Sequence, residues 1–229
     1  RDGEIKVTEI PKKKKPLILL CGKSGSGKST VADILEKEYG LKQLRSYTTR
    51  PKRNKDEDGH IFVNNTASLE NWGSGETNYY CMRDGLNLIK VPIVKKIGDH
   101  TYWCTQEQLD EADVYVIDPE TAVELAKEIY DEGKRDVHIV YLDPTETARI
   151  HRMTLRGDSL SNIKGRSNTE RDWTKFFMKA RYKLPFNITH HLYGIDNEFP
   201  YNVALRVMGV CGIDIPADIE DEIEDETDN

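Results

Sequence analysis

The stretch Leu17-Ile18-Leu19-Leu20-Cys21-Gly22-Lys23-Ser24-Gly25-Ser26-Gly27-Lys28-Ser29-Thr30 decides how the whole chain is read. Four consecutive apolar residues, Leu17 to Leu20, stop at Gly22, the pattern of a parallel strand buried on both faces. From Lys28 to Tyr39 the apolar residues Val31, Ala32, Ile34 and Leu35 fall on helical spacing, and Gly40 supplies a stop. Between strand and helix, Gly22 to Ser29 fits G-x-x-x-x-G-K-[ST]. Glycines let such a backbone fold round a phosphate, so that amide N–H groups and the helix N-terminus face negative charge. The pattern predicts an ATP site built from Gly22, Lys23, Ser24, Gly25, Ser26, Gly27, Lys28, Ser29 and Thr30. Lys28 would bridge the β- and γ-phosphate oxygens and Ser29 would hold Mg²⁺. The loop specifies a donor nucleotide and leaves the acceptor open.

Working outward, the same alternation recurs. Val114 to Ile117 reads as a strand before a helix of about Glu120 to Tyr130, and Val137 to Leu142 as a strand before a helix from about Thr145. Repeated βα units imply an α/β fold with a mostly parallel sheet flanked by helices. Residues 47 to 111 are richer in turns and isolated aromatics, with Trp72 to Gly75 as a loop, and read as an insertion. The chain divides into a basic leader at 1–15, a folded unit at 16–212 and an acidic, disordered tail at 213–229.

Composition limits the function classes. The chain has 229 residues, enough for one substantial core, and a formal net charge of −7, which argues against broad nucleic-acid binding. No apolar run is long enough to cross a bilayer and the first residues lack a signal-peptide layout, so a cytoplasmic protein without membrane partners is expected. Cys21, Cys81, Cys104 and Cys211 are widely spaced without a CxxC pair, so reduced thiols are expected rather than a zinc site or a disulfide framework. Small-molecule nucleotides are the expected partners, and monomer and homodimer both remain open.

Beyond the loop come Ser46-Tyr47-Thr48-Thr49-Arg50-Pro51-Lys52-Arg53 and then Asp58-Gly59-His60-Ile61-Phe62-Val63. Two arginines three residues apart can grip one phosphate from two sides through paired, charge-assisted hydrogen bonds. With the phosphate loop in front and an arginine-dense stretch behind, this order of motifs resembles guanylate kinase, a family of P-loop nucleoside monophosphate kinases. The resemblance spans most of the chain.

The resemblance implies phosphoryl transfer from ATP to GMP or dGMP, with Mg²⁺ as cofactor. It places Arg50 and Arg53 on the acceptor phosphate and Ser46 on the guanine edge. Tyr102-Trp103-Cys104-Thr105 resembles the family element that supplies a phosphate-binding tyrosine and a base-reading hydroxyl, so Tyr102 and Thr105 join the acceptor set. Trp103 stands where the family usually has that tyrosine, and Val94 to Lys96 stand where it has a base-reading glutamate; Glu76 is another source of a carboxylate. Asp118 and Glu120 resemble its D-x-D element, and Asp118 also reads as a helix N-cap before Pro119.

Arg149, Arg152, Arg156, Arg166 and Arg171 mark 150–175 as an arginine-rich lid in the manner of monophosphate kinases. Arg156 and Arg166 match the family's catalytic positions, stabilising charge on the moving group. Arg149 and Arg152 read as solvent-facing helix charges paired with Glu146 or Asp143. Ile195-Asp196-Asn197 before a helix of Pro200 to Met208 resembles the family's last strand, with Asn197 near the adenine. Two rivals follow from the same residues: a kinase for another or modified nucleoside monophosphate, and a non-catalytic module that binds a protein through the acceptor cleft.

Overall fold

The computed structural model describes residues 15–53, 55–71, 80–133, 135–169 and 172–215. The chain runs through β1 (Leu17–Gly22), α1 (Lys28–Lys37), β2 (Gln43–Leu44), β3 (Tyr47–Thr48), β4 (Ile61–Phe62), β5 (Leu69–Asn71), β6 (Tyr80–Asp84) and β7 (Asn87–Val91). It continues through β8 (Ile93–Ile97), β9 (His100–Cys104), α2 (Gln106–Glu111), β10 (Val114–Val116), α3 (Pro119–Glu132), β11 (Val137–Asp143) and α4 (Glu146–Leu155). The last elements are α5 (Leu160–Thr169), α6 (Trp173–Ala180), β12 (Thr189–Tyr193) and α7 (Pro200–Val210).

Five strands form an all-parallel sheet in the order β12-β11-β1-β10-β2. β1 lies in the middle, and its continuous apolar run has a direct cause. Leu17, Leu19 and Cys21 pack on one face with Leu125, Tyr141 and Phe177, while Ile18 and Leu20 pack on the other with Val31, Leu35, Val140 and Val207. Both faces are covered, so no position in the strand is left for a polar side chain. α3 and α6 cover the first face and α1 and α7 the second.

The helices start where their capping chemistry dictates. Asp118 caps α3, its carboxylate accepting from the Thr121 backbone N–H at 3.1 Å, with Pro119 at the first helical position. α3 ends on Gly133 at φ 61°, a left-handed turn that glycine adopts without strain. Thr145 caps α4 in the same way.

The insertion consists of two small sheets among the described residues, β4-β3-β9-β8 and β5-β6-β7. They share a core in which Trp103, 1% exposed, stacks on Tyr47 at 5.4 Å and packs with Met82, Val91 and Tyr80. The expected loop at Trp72 to Gly75 lies outside the described residues, as do Glu76, Tyr79, Arg171 and all but the edges of the leader and tail.

Two readings of the sequence need correction, and one strand is added. The last strand is Thr189–Tyr193; Ile195 follows it outside the sheet and a bend spans 196–198, because Gly194 at φ 70° turns the chain out of the sheet. β2, too short to announce itself by alternation, adds an edge strand through pairing with Val114 and Tyr115. Arg149 and Arg152 do not face solvent, for reasons that belong to the site.

Candidate active site

The glycine loop leaves the carboxyl end of β1, where open α/β sheets place their ligands. Its glycines are required at two points. A Cβ on Gly22 would stand 2.5 Å from the Leu142 carbonyl oxygen, and one on Gly25, at φ 77°, would stand 2.6 Å from the Arg149 carbonyl oxygen. The loop is therefore clamped between β11 and α4, with no room for a side chain at either position. Lys28 folds back over it and donates to the Gly22 carbonyl at 2.7 Å and to the Lys23 carbonyl at 2.9 Å.

Two arginines of α4 hold the same loop from the other side. Arg149, 5% exposed, donates to the Ser24 carbonyl at 3.1 Å. Arg152 donates to the Ser26 carbonyl at 3.3 Å and, through its other terminal nitrogen, to the carbonyls of Ile195 and Asp196 at 3.0 Å each. Helical spacing carries the signal for a charged face but not for what that face meets, which is why a solvent-exposed reading was the natural one. Arg152 thereby ties the phosphate loop to the bend before α7.

A cleft of about 620 Å³ opens over the loop. Ser24 to Thr30 form its floor, Arg53, Arg152, Arg156, Arg166 and Glu198 its charged walls, His60 a polar wall, and Val116, Ile195, Pro200 and Val203 an apolar side. Residues from the glycine loop, the insertion and the α4–α5 corner thus meet in one space. Asn197 lies away from it, in a shallow hollow beside Thr145, His151 and Asp196.

Each arginine pair grips a carboxylate of the protein itself. Glu57 accepts from Arg50 at 2.6 and 3.2 Å and from the Arg53 backbone N–H at 2.7 Å. Burial works to raise the Glu57 carboxyl, but the Arg50 guanidinium and the Arg53 N–H outweigh it and hold it below the usual carboxylate range. Asp158 bridges Arg156 and Arg166, which hold its carboxyl below the usual range in the same way. Arg53 sits between these groups: burial first, then the charges of Arg50 and Arg166, lower its pKa. Guanidiniums crowded against their mutual repulsion require negative charge among them.

Around this cluster the sheet alternation sorts the aromatics. Tyr102 and Trp103 are neighbours on β9 and face opposite ways. Trp103 points into the insertion core. Tyr102 lies near the Arg50 guanidinium and packs edge-on against His60 at 5.7 Å. Phe62 lies beneath Arg50 and Lys52, each 5.3 Å from its ring centre. Ser46, 3% exposed, meets His60 Nδ1 at 3.0 Å, and burial, with Arg50 next, keeps the His60 imidazole below its usual pKa.

The remaining predicted residues have structural partners. Thr105 caps α2 in a reciprocal box with Gln108. Asp118 is engaged by both the N–H and the hydroxyl of Thr121. Glu120 pairs with Lys95 at 3.3 Å, and Lys95 is the cross-strand partner of Tyr102, so both lie on one face of the β8–β9 pair. The residues that sequence reading missed are Glu57 and Asp158. Each follows its arginines closely in sequence, but a carboxylate near arginines in a loop carries no mark of a site.

A parallel α/β sheet with a glycine loop clamped at the end of its central strand defines a P-loop nucleotide-binding protein. A family model described as an AAA domain matches residues 18–174, and the chain belongs to that family, a P-loop group common to many nucleotide kinases. Comparison with curated proteins gives no match. Among the described residues, no helix is long and apolar enough to cross a membrane.

Proposed function

We propose that the chain transfers the γ-phosphoryl group of ATP to a nucleoside monophosphate, with GMP or dGMP the favoured acceptor. The observation that carries this reading is the meeting of two arginine pairs over one phosphate loop, each pair closed on a carboxylate. A guanidinium fork that holds a carboxylate has the spacing to hold a phosphate.

In this reading the insertion at about 47–111 binds the acceptor and the corner at about 150–175 is the lid. Lys28 and the amides of Gly22 to Thr30 take the donor phosphates. Ser29, whose exposed hydroxyl lines the cleft beside Lys28, is a hard oxygen donor of the kind Mg²⁺ selects and would hold that ion, which would draw charge off the β- and γ-phosphate oxygens. Arg50, Arg53 and Tyr102 take the acceptor phosphate, displacing Glu57. Arg156 and Arg166 turn from Asp158 to the equatorial oxygens of the moving group, where negative charge spreads. No general base is required, since the attacking phosphate oxygen is already anionic. Closure excludes water that would otherwise take the phosphoryl group.

The base assignment rests on fewer residues. Guanine offers N–H donors at its Watson–Crick edge, which call for carboxylate and hydroxyl acceptors. In this reading Ser46, Thr105, Asp118 and Glu120 would supply those groups, with Lys95 holding Glu120 on the Tyr102 side of the β8–β9 pair. The same lysine, a donor at the expected glutamate position, favours a second reading in which another or modified base is the acceptor. Turnover across a panel of ribo- and deoxyribonucleoside monophosphates tests both: a preference for GMP or dGMP is expected, and an even or shifted preference sinks the guanine assignment while leaving the kinase.

A further inference from the structure

Far from the cleft, at the other end of the sheet, three donor side chains converge. His138 is the second residue of β11 and His190 the second of β12, so both stand at the amino-terminal edge of parallel strands. The phosphate loop leaves the opposite edge, at Gly22 beside Leu142, roughly 13 Å away along β11 at about 3.3 Å per residue. His138 Nδ1 lies 2.9 Å from His190 Nε2, and the rings stack with centres 5.1 Å apart. Cys211, at the carboxyl end of α7, closes over them, and one ligand atom from each of the three lies within 4.8 Å of the others.

This arrangement follows from register. Val140 is paired with His190, and His138 shares the face of Val140, so both imidazoles point to the side of the sheet that α7 covers. α7 delivers Cys211 to that face as it ends. The cysteine spacing in the sequence gave no reason to expect a metal centre, because two of the three ligands come from neighbouring strands and the third from a helix that packs across them.

We propose that His138, His190 and Cys211 form a binding site for a thiophilic divalent transition-metal ion of the zinc class, separate from the phosphate-transfer cleft. Two imidazole nitrogens and one thiolate are the donor set that borderline-soft ions select and that Mg²⁺ and Ca²⁺ do not.

The geometric demand is small. Zn–N bonds of about 2.0–2.1 Å at a tetrahedral angle set the two nitrogens about 3.3 Å apart, a modest opening of the observed pair. Cys211 gives up its thiol proton to solvent as the metal–sulfur bond forms. The imidazole that donates in the pair exchanges its proton, through water, onto its other ring nitrogen. The fourth position is left to water, since both histidines are only half-buried. A bound ion would staple β11, β12 and α7, and would stabilise the fold in proportion to its affinity.

The test uses the full chain, stripped with chelator and titrated with Co²⁺ as a spectroscopic stand-in for zinc. We expect a thiolate-to-cobalt charge-transfer band with intense tetrahedral d–d absorption, both lost in Cys211→Ala and weakened at least tenfold in affinity in His190→Gln. Cys81→Ala, which alters a thiol in the insertion, should leave the spectrum unchanged. Zn²⁺ should raise the thermal midpoint of the wild type and not that of Cys211→Ala. Absence of the band in the wild type, or its survival in Cys211→Ala, overturns the proposal and leaves a hydrogen-bonded imidazole pair. If the variants fail to fold, X-ray absorption of the zinc-loaded wild type decides: one sulfur and two imidazoles support the site, and any other sulfur count or an all-oxygen shell refutes it.

Discussion

Arg50 holds Glu57 by both carboxylate oxygens, Nη2 at 2.6 Å from Oε1 and Nη1 at 3.2 Å from Oε2, with the two side chains only 11% and 16% exposed. Such shielding makes it costly to remove one partner and leave the other charge uncompensated. It also means that an acceptor phosphate must take Arg50 from a partner it already has.

Glu57→Gln keeps an acceptor oxygen for the Arg53 N–H but removes the charge that competes with phosphate. The acceptor KM is expected to fall on the order of fivefold, about 1 kcal/mol, with kcat little changed. Arg50→Ala should raise the same KM by one to two orders of magnitude, as loss of a charged hydrogen-bond partner does. Steady-state acceptor titrations check both, and a raised KM in Glu57→Gln would mean that Glu57 organises Arg50 rather than competing for it.

Lys28→Ala removes the cation seated over the glycine loop. Turnover should drop by about a thousandfold or more, the scale of a lost preorganised charge at a reacting phosphate, while the thermal midpoint stays within a few degrees. A fully active Lys28→Ala enzyme would contradict the proposed chemistry.

Arg149→Met leaves the Ser24 carbonyl without its buried donor. A loss of about 2–3 kcal/mol in urea unfolding is expected, together with a raised ATP KM, because the loop loses its clamp from α4.

Asp143 ends β11 and accepts from His191 Nε2 at 2.9 Å and from the Thr174 hydroxyl at 3.1 Å. Burial acts to raise its carboxyl, and the bonds from His191 and Thr174 outweigh burial and hold it below the usual value. A carboxyl depressed in the folded state stabilises the fold above its unfolded pKa of about 3.9, and that stability is lost as pH falls through the folded value. Unfolding free energy should therefore decline below about pH 4. In Asp143→Asn it should be lower at pH 7 and fall less steeply with acid, which denaturant titrations from pH 3 to 7 would measure.

Trp103→Ala empties the centre of the insertion core and should cost about 3–5 kcal/mol, as aromatic deletions in packed cores do. Circular dichroism and unfolding midpoints check this. Retention of wild-type stability would show that the insertion core does not depend on it.

Much of the fold was legible in the primary sequence because it is written in local patterns. Leu17 to Leu20 must be a strand covered on both faces, Gly22 to Ser29 must be a phosphate loop, and Asp118-Pro119 must open a helix, each for reasons of sterics and capping that need no tertiary partner. β2 and β12 were less legible. A strand of two residues has no period, and the polar run Thr189-His190-His191 hides its strand because it serves the sheet edge rather than the core.

The glycine loop was determined by the sequence itself, down to the lysine and the serine that follow it. Tertiary structure decided what surrounds it. Only packing turns Arg149 and Arg152 inward onto the loop carbonyls, sends Tyr102 rather than Trp103 towards Arg50, and brings Cys211 to a pair of histidines on adjacent strands. The physical reason is one of range. Capping, periodicity and backbone strain act within a few residues, whereas a buried charge or a set of ligands is defined by partners dozens of residues away, and those meet only once the sheet register is set.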